Sequence, residues 1–349
     1  MKPESKLTDT ITRLRLTARC LHAADESGGN IAKKFQQLGV QDTAENRIAY
    51  RGAMFTTPGY GKVIGGTILF DETFRQAYEG NSVTSILTRQ DVVIGIKVDS
   101  GLQSFGSSKI EQVGKNELTA LPKRLEEYAM KEARFTKFRV VANIGRENGN
   151  NLPSDECLAA NVALLAEYAE ICHRFDIVPI VEPEVPMDGS HSLEDCRQAT
   201  MRFLTATFAA LKKRRIDLAG VILKTNMVLP GTEGPKASEA DNIRETISTV
   251  AATVPSDIGA VVFLSGGQGT EDAMRRLEAV RYAAANTGFP FVVSSSFSRA
   301  LQGPALEEFG AAVRDGADAA EIKRRTQSRF AEALKLNGIA LDNSARARG

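Results

Sequence analysis

Short apolar runs ending in polar or charged residues recur along this chain, separated by stretches of helical periodicity. Eight are predicted to be strands: RCLHAAD (19 to 25), GGTILF (65 to 70), VVIGIKVD (92 to 99), KFRVVANI (137 to 144), IVPIVEPE (177 to 184), GVILKT (220 to 225), AVVFLSG (260 to 266) and PFVVSSSF (290 to 297). Between them lie amphipathic segments such as the one opening at Ser154, and EDAMRRLEAVRYAAANTG, which stops at Gly288 with Pro290 just beyond. Eight βα repeats across residues 19–297 predict an α/β fold, a (β/α)8 TIM barrel in a single domain over residues 1–349. The ends, 1–8 and 336–349, are expected to be flexible, Arg346 and Arg348 included. A doubly wound sheet would need a glycine fingerprint after an early strand; GYGKVIGG (59 to 66) has the wrong spacing and precedes a strand, so it reads as a loop.

Residues two apart on a strand share a face, and that rule sorts the charges. Lys97 and Asp99, Lys137 and Arg139, and Glu182 and Glu184 are i, i+2 pairs in or at the end of apolar strands. Asp25 on the first strand, Lys224 on the sixth and Arg299 after the eighth aim at the same cavity. Buried ion pairs that merely tie the barrel together are the plainer explanation of any one pair. Yet buried charge is costly, and apolar replacements are often neutral or stabilising by about 1 to 4 kcal/mol. So many charges at strand ends point instead to a site at the C-terminal face of the barrel.

Composition narrows the chemistry. With 42% hydrophobic residues the chain fills a sizeable core, and 44 Lys and Arg against 43 Asp and Glu leave a net charge of +1. No overall field draws it to nucleic acid or a membrane surface, so neither partner is expected. The basic runs KKRR (212 to 215) and KRR (323 to 325) lack interleaved aromatics and read as solvated helix faces. The start MKPESKLTDT has no signal-peptide character, and no stretch is long and apolar enough for a membrane helix, so a cytoplasmic protein is expected. Cys20, Cys157, Cys172 and Cys196 form no C-x-x-C pair and read as reduced packing thiols. His22, His173 and His191 show no i, i+4 spacing, so no metal site is expected.

FLSGGQ (263 to 268) and SSSFSRALQ (294 to 302) follow strands seven and eight, bringing small residues, backbone amides, hydroxyls and an arginine to a helix start. That is the place and chemistry of a barrel phosphate site. A desolvated Lys224 near other cations such as Lys137 is expected to have a lowered pKa and so to serve as an amine nucleophile. Its protonated Schiff base would be an electron sink for carbon–carbon cleavage, with Glu182 and Glu184 handling protons and no cofactor required.

The stretches AADES (23 to 27), GIKVD (95 to 99), KFRV (137 to 140), PIVEPE (179 to 184), ILKTNMVLPG (222 to 231), FLSGGQ and SRALQ (298 to 302) resemble those of class I fructose-1,6-bisphosphate aldolases, in order and at similar spacing. The likeness runs from about residue 10 to 335 and also takes in AENRIAYR and GGTILFDET. It implies reversible cleavage of fructose 1,6-bisphosphate, a sugar bisphosphate, in glycolysis and gluconeogenesis, by a homotetramer. It further implies Lys224 as the Schiff-base lysine, Glu182 as the main acid/base, and Glu184 as electrostatic support for that lysine. Asp25 would take the hydroxyl proton that starts cleavage, and Lys137 and Arg139 would steer the substrate. Ser265, Gly266 and Arg299, with Ser298 beside it, would hold one phosphate; Ser27 and Lys97 would hold the other; Asp99 would position those cations. Thr225 stands where the family usually has Pro, Asn30 where Ser is common, and Ser298 where Gly precedes the phosphate arginine. Many members end in an arm with a terminal Tyr; here the last tyrosine is Tyr282, so that proton exchange is expected to be served otherwise, or more slowly. Two alternatives stand beside this reading: preference for sedoheptulose bisphosphate or a monophosphate, and an aldolase-like binder acting as scaffold or sugar-phosphate sensor.

Overall fold

Alternation along eight strands becomes a closed parallel sheet in the computed structural model, which describes residues 5–346. The strands are β1 (Cys20–Ala24), β2 (Ile64–Leu69), β3 (Val93–Lys97), β4 (Ala133–Val141), β5 (Val178–Glu184), β6 (Ile222–Thr225), β7 (Ala260–Phe263) and β8 (Val293–Phe297). Each pairs with its neighbour in sequence, and β8 closes on β1 with Leu21 opposite Ser296. Helices run between them, among them α1 (Lys6–Leu14), α2 (Gly28–Gln37), α3 (Ala44–Phe55), α4 (Leu121–Met130), α5 (Asp155–Arg174), α6 (Leu193–Lys213), α7 (Glu239–Thr253), α8 (Thr270–Asn286), α9 (Arg299–Arg314) and α10 (Ala319–Arg346). This is the expected (β/α)8 barrel.

The two faces of the sheet carry separate cores. Leu21, Ala23, Ile68, Val93, Phe135, Val178, Ile180, Ile222, Ala260 and Val262 fill the barrel's interior. Continuing the same alternation toward the strand ends reaches Asp25, Lys97, Lys137, Glu182 and Lys224. The interior is therefore apolar at the foot and charged at the top. Outward residues pack beneath the helices in a second, larger core.

Helix α1 forms the floor. The Ser5 side chain accepts from the Thr8 amide at its start, and Leu7 and Leu14 join Leu16 in the inner cluster. Residues 6–8 are thus helical where a flexible end was expected, and 336–346 belong to α10; residues 1–4 and 347–349, Arg348 with them, lie outside the described residues. The 59–66 stretch also departs from its reading as a loop. Gly59, at φ 83°, leads a short helix Tyr60–Val63, and β2 begins at Ile64. Contact requires Gly65: a Cβ there would sit 1.9 Å from the Leu14 carbonyl oxygen. Strand β4 starts at Ala133 rather than 137, since Arg134, which breaks the apolar run, is exposed at the foot while Phe135 points inward.

Local signals behave as the residues dictate. Ser154 caps α5, and Gly288, at φ 69°, follows α8. The basic runs are occupied on the surface: Arg214 pairs with Glu170, Lys323 with Glu79, and Arg325 with Asp315. All four cysteines are free and buried. Three two-stranded ribbons, including Leu102–Ser104 with Gln112–Gly114 and Gly145–Glu147 with Asn150–Leu152, were not expected; strands of two or three residues leave no readable period.

Candidate active site

The charged top of the barrel is a chain of shared carboxylates. Glu182 divides its oxygens between two lysines: Oε1 lies 3.0 Å from Lys224 Nζ and Oε2 3.2 Å from Lys137 Nζ. Lys137 also reaches Asp25 Oδ2 at 2.8 Å and Asp99 Oδ2 at 3.5 Å. Asp99 turns its other oxygen to Lys97 Nζ at 3.4 Å. The side chains of Lys224 and Glu182 are only 6% and 4% exposed, so the pair is withheld from bulk water. The expected nearness of Lys224 to Lys137 is thus mediated by a shared carboxylate. A carboxylate stands between Lys224 and Lys137, because alternating charge offsets part of the cost of burying both.

Opposing effects set the protonation states. Burial alone would raise Asp25, but Lys137, Lys224 and Lys97 outweigh it and hold its carboxyl well below the usual range. Burial likewise raises Glu182, and Lys137, Lys224 and Arg139 together bring it down. Desolvation disfavours the Lys137 ammonium, yet Asp25, Glu182 and Asp99 overcome that and keep it charged. Burial acts on Arg139 in the same way, and Glu184 more than compensates.

Glu184 sits elsewhere than expected. It ion-pairs with Arg139, and Glu182 is the carboxylate at Lys224. The pleat explains the difference: Glu184 is one full alternation nearer the mouth than Glu182, within reach of the long Arg139 side chain.

The loops after β7 and β8 are fastened side by side. Gly266 and Gly267 adopt φ of 55° and 95°, so the backbone turns sharply past buried Ser265. Arg299 Nη1 donates to the Gly267 carbonyl at 3.3 Å, joining the two loops where α9 begins. Ser298 precedes that helix, and its hydroxyl accepts from Gln302 Nε2 at 3.0 Å. At the other side, Ser27 heads α2 with no side-chain capping bond, and a Cβ on Gly28 or Gly29 would meet open space. Asn30 is exposed, and Lys97 joins the cluster by its ion pair with Asp99.

Several polar residues to which the sequence reading gave no individual site role support this site. Asn226, buried just past β6, accepts from the Val185 amide at 2.9 Å and donates to Thr200 Oγ1 at 3.1 Å. It ties the segment carrying Lys224 to the end of β5 and to α6. Thr225 adds a bond to the Pro183 carbonyl at 3.4 Å. Ser296, partner of inward-facing Leu21, is buried with its hydroxyl unbonded. The signal available was a polar residue within or just after an apolar run.

The arrangement suits amine chemistry on a carbonyl beside an anion-binding rim. No group of three or more His, Cys, Asp or Glu among the described residues is placed to hold a metal ion.

The chain is similar to known proteins of one family. A sequence model of the family "fructose-bisphosphate aldolase class-I" matches residues 6–345. A probable fructose-bisphosphate aldolase class 1 of Xanthomonas axonopodis pv. citri is 38% identical over 304 residues, 86% of this chain and 89% of that protein. Fructose-bisphosphate aldolase 6, cytosolic, of Arabidopsis thaliana is 39% identical over 289 residues, 82% of this chain and 79% of that protein. Among solved structures, fructose-bisphosphate aldolase from Plasmodium falciparum, in complex with TRAP and a small-molecule inhibitor, superposes with a TM-score of 0.89 at 34% identity, covering 97% of this chain and 94% of that one. With the barrel, the buried lysine and its carboxylates all present, this chain belongs to the class I fructose-bisphosphate aldolase family.

Proposed function

We propose that Lys224 forms the Schiff base through which this chain cleaves fructose 1,6-bisphosphate to dihydroxyacetone phosphate and glyceraldehyde 3-phosphate. The observation that carries this reading is the 3.0 Å contact between Lys224 Nζ and Glu182 Oε1 inside the closed barrel. Transfer of the ammonium proton to Glu182 frees the amine lone pair to attack the substrate's C2 carbonyl. Glu182 then returns that proton as the carbinolamine loses water, leaving a protonated imine. Asp25, held ionised by its cations, takes the C4 hydroxyl proton. The C3–C4 bond breaks, glyceraldehyde 3-phosphate leaves, and its electron pair rests on the imine as an enamine. Protonation at C3 and hydrolysis release dihydroxyacetone phosphate and restore Lys224.

Lys137, fixed by three carboxylates, and Arg139, fixed by Glu184, orient the sugar and its intermediates. The amides and side chains of Ser265, Gly266, Ser298 and Arg299 take one phosphate; Ser27 and Lys97 take the other. No metal ion enters, because the imine performs the electron-sink work. We place the enzyme in the cytoplasm, on the likeness to the Arabidopsis protein named cytosolic, and we expect a homotetramer from the family resemblance alone. No helix among the described residues is long and apolar enough to cross a membrane.

Borohydride reduction in the presence of dihydroxyacetone phosphate, followed by peptide mass spectrometry, tests the nucleophile. The expected result is a stable adduct on Lys224 and none in Lys224→Met. An adduct on another lysine, or none at all, overturns the assignment.

A further inference from the structure

Outside the barrel wall lies a buried hydrogen-bond chain that the cleavage chemistry does not use. His22, on β1, faces the helices and is packed against Phe55, Tyr60 and Phe330. Its Nδ1 is 2.8 Å from the Tyr60 hydroxyl, which is 2.7 Å from Thr67 Oγ1 on β2. Its Nε2 is 3.1 Å from Gln302 Oε1 on α9, and the same amide's Nε2 donates to Ser298 Oγ at 3.0 Å. His22, Tyr60, Thr67 and Gln302 are all essentially without solvent access.

The chemistry of each group sets the direction of the chain. Gln302 Oε1 can only accept, so the single proton of a neutral imidazole sits on His22 Nε2. Nδ1 must then accept from Tyr60, and the Tyr60 oxygen is left to accept from Thr67. Burial supports the neutral form, lowering the His22 pKa to about 4. Every link thus donates toward α9, and Ser298, already an acceptor from Gln302, keeps its own hydroxyl proton for an outside partner. Ser298 itself stands next to Arg299, where α9 starts.

We infer that Ser298 donates its hydroxyl to the substrate phosphate, and that Thr67, Tyr60, His22 and Gln302 are positioning residues that polarise and orient that donor. The inference rests on the phosphate reading of the loops after β7 and β8. A buried chain of aligned bonds strengthens its terminal donor, and a bond to a charged group is worth more than one to a neutral group.

The test compares KM for fructose 1,6-bisphosphate and competitive inhibition by inorganic phosphate across a small variant set. Ser298→Ala is expected to weaken both by roughly tenfold, the loss of one charge-assisted bond, with the effect falling on KM more than on kcat. His22→Leu should shift both constants the same way by a smaller factor. His22→Gln, which retains an acceptor and a donor, should recover most of that loss. Adding His22→Leu to Ser298→Ala should cause no further change, because the relay then has no terminus. Wild-type constants in Ser298→Ala, or a His22→Leu effect of equal size with and without Ser298, overturn the inference. Should His22→Leu fail to fold, Tyr60→Phe removes one hydroxyl from the same chain and is judged by the same outcomes. Borohydride trapping on Lys224 is run alongside in the wild type. Failure there overturns the imine assignment, whereas trapping with no Ser298 dependence of phosphate binding overturns only the relay.

Discussion

At the scale of single residues, the site is organised by one carboxylate that serves two lysines. Glu182→Gln keeps the shape and most hydrogen-bonding capacity but removes both the charge and the proton acceptor 3.0 Å from Lys224. A fall in kcat of about 10²- to 10⁴-fold is expected, with slower borohydride trapping. Steady-state kinetics and trapping rates on the same preparation check it; near wild-type rates would remove Glu182 from the proton path. A second prediction concerns His22, whose folded pKa of about 4 lies below its ordinary 6.5. Between those values the unfolded chain binds the proton more readily, so the folded state loses stability as pH falls from about 6.5 to about 4. The loss from this residue is about 3 kcal/mol. Urea midpoints measured across that window should slope less steeply in His22→Leu than in the wild type, whatever the absolute stability of the variant. Equal slopes would contradict a buried neutral imidazole.

At the scale of elements, close backbone approaches hold the barrel's foot and its loop ends. Helix α1 seals the floor because Gly65 and Gly66 let the β2 backbone pass beneath Leu14. Gly65→Ala would place a methyl 1.9 Å from the Leu14 carbonyl oxygen, so backbone must move. A loss of about 3 kcal/mol, the upper end for overpacking, is expected. Gly338, inside α10, offers the contrast: a Cβ there meets Val63 Cγ2 at 3.5 Å, an ordinary van der Waals contact. Gly338→Ala should therefore gain about 0.5 to 1 kcal/mol from helix propensity. Denaturant unfolding of the two variants decides this. Similar effects at both positions would mean that backbone entropy, not the α1 contact, controls Gly65. Farther up, Asn226 links β6, β5 and α6 in one buried network, and that is how Lys224 is held in register with Glu182.

At the scale of the whole molecule, polarity runs along the barrel axis. The interior passes from the α1 floor through aliphatic residues to the charged top, so its charged groups gather at one end only. The near-neutral total of +1 offers no long-range steering. On the proposed assignment, selection of a bisphosphate rests on the local cations Lys97, Arg139 and Arg299. Assembly is a property of this scale too: sedimentation velocity is expected to give the mass of four chains, and a species of one or two chains at working concentrations would refute the homotetramer.

Alternation alone determined which face of each strand carries charge, and eight repeats of it determined the barrel, because the side-chain period is a local property of the backbone. Ser154 and Gly288 declared helix ends by chemistry that needs no distant partner. Partnerships across the barrel were decided only by the tertiary structure. Glu182 rather than Glu184 meets Lys224, carboxylates separate the cations, and His22 reaches Ser298 through Gln302. Those outcomes depend on stagger between neighbouring strands and on how helices pack over them. Such distances join residues as far apart in sequence as 22 and 302, and no local periodicity encodes them.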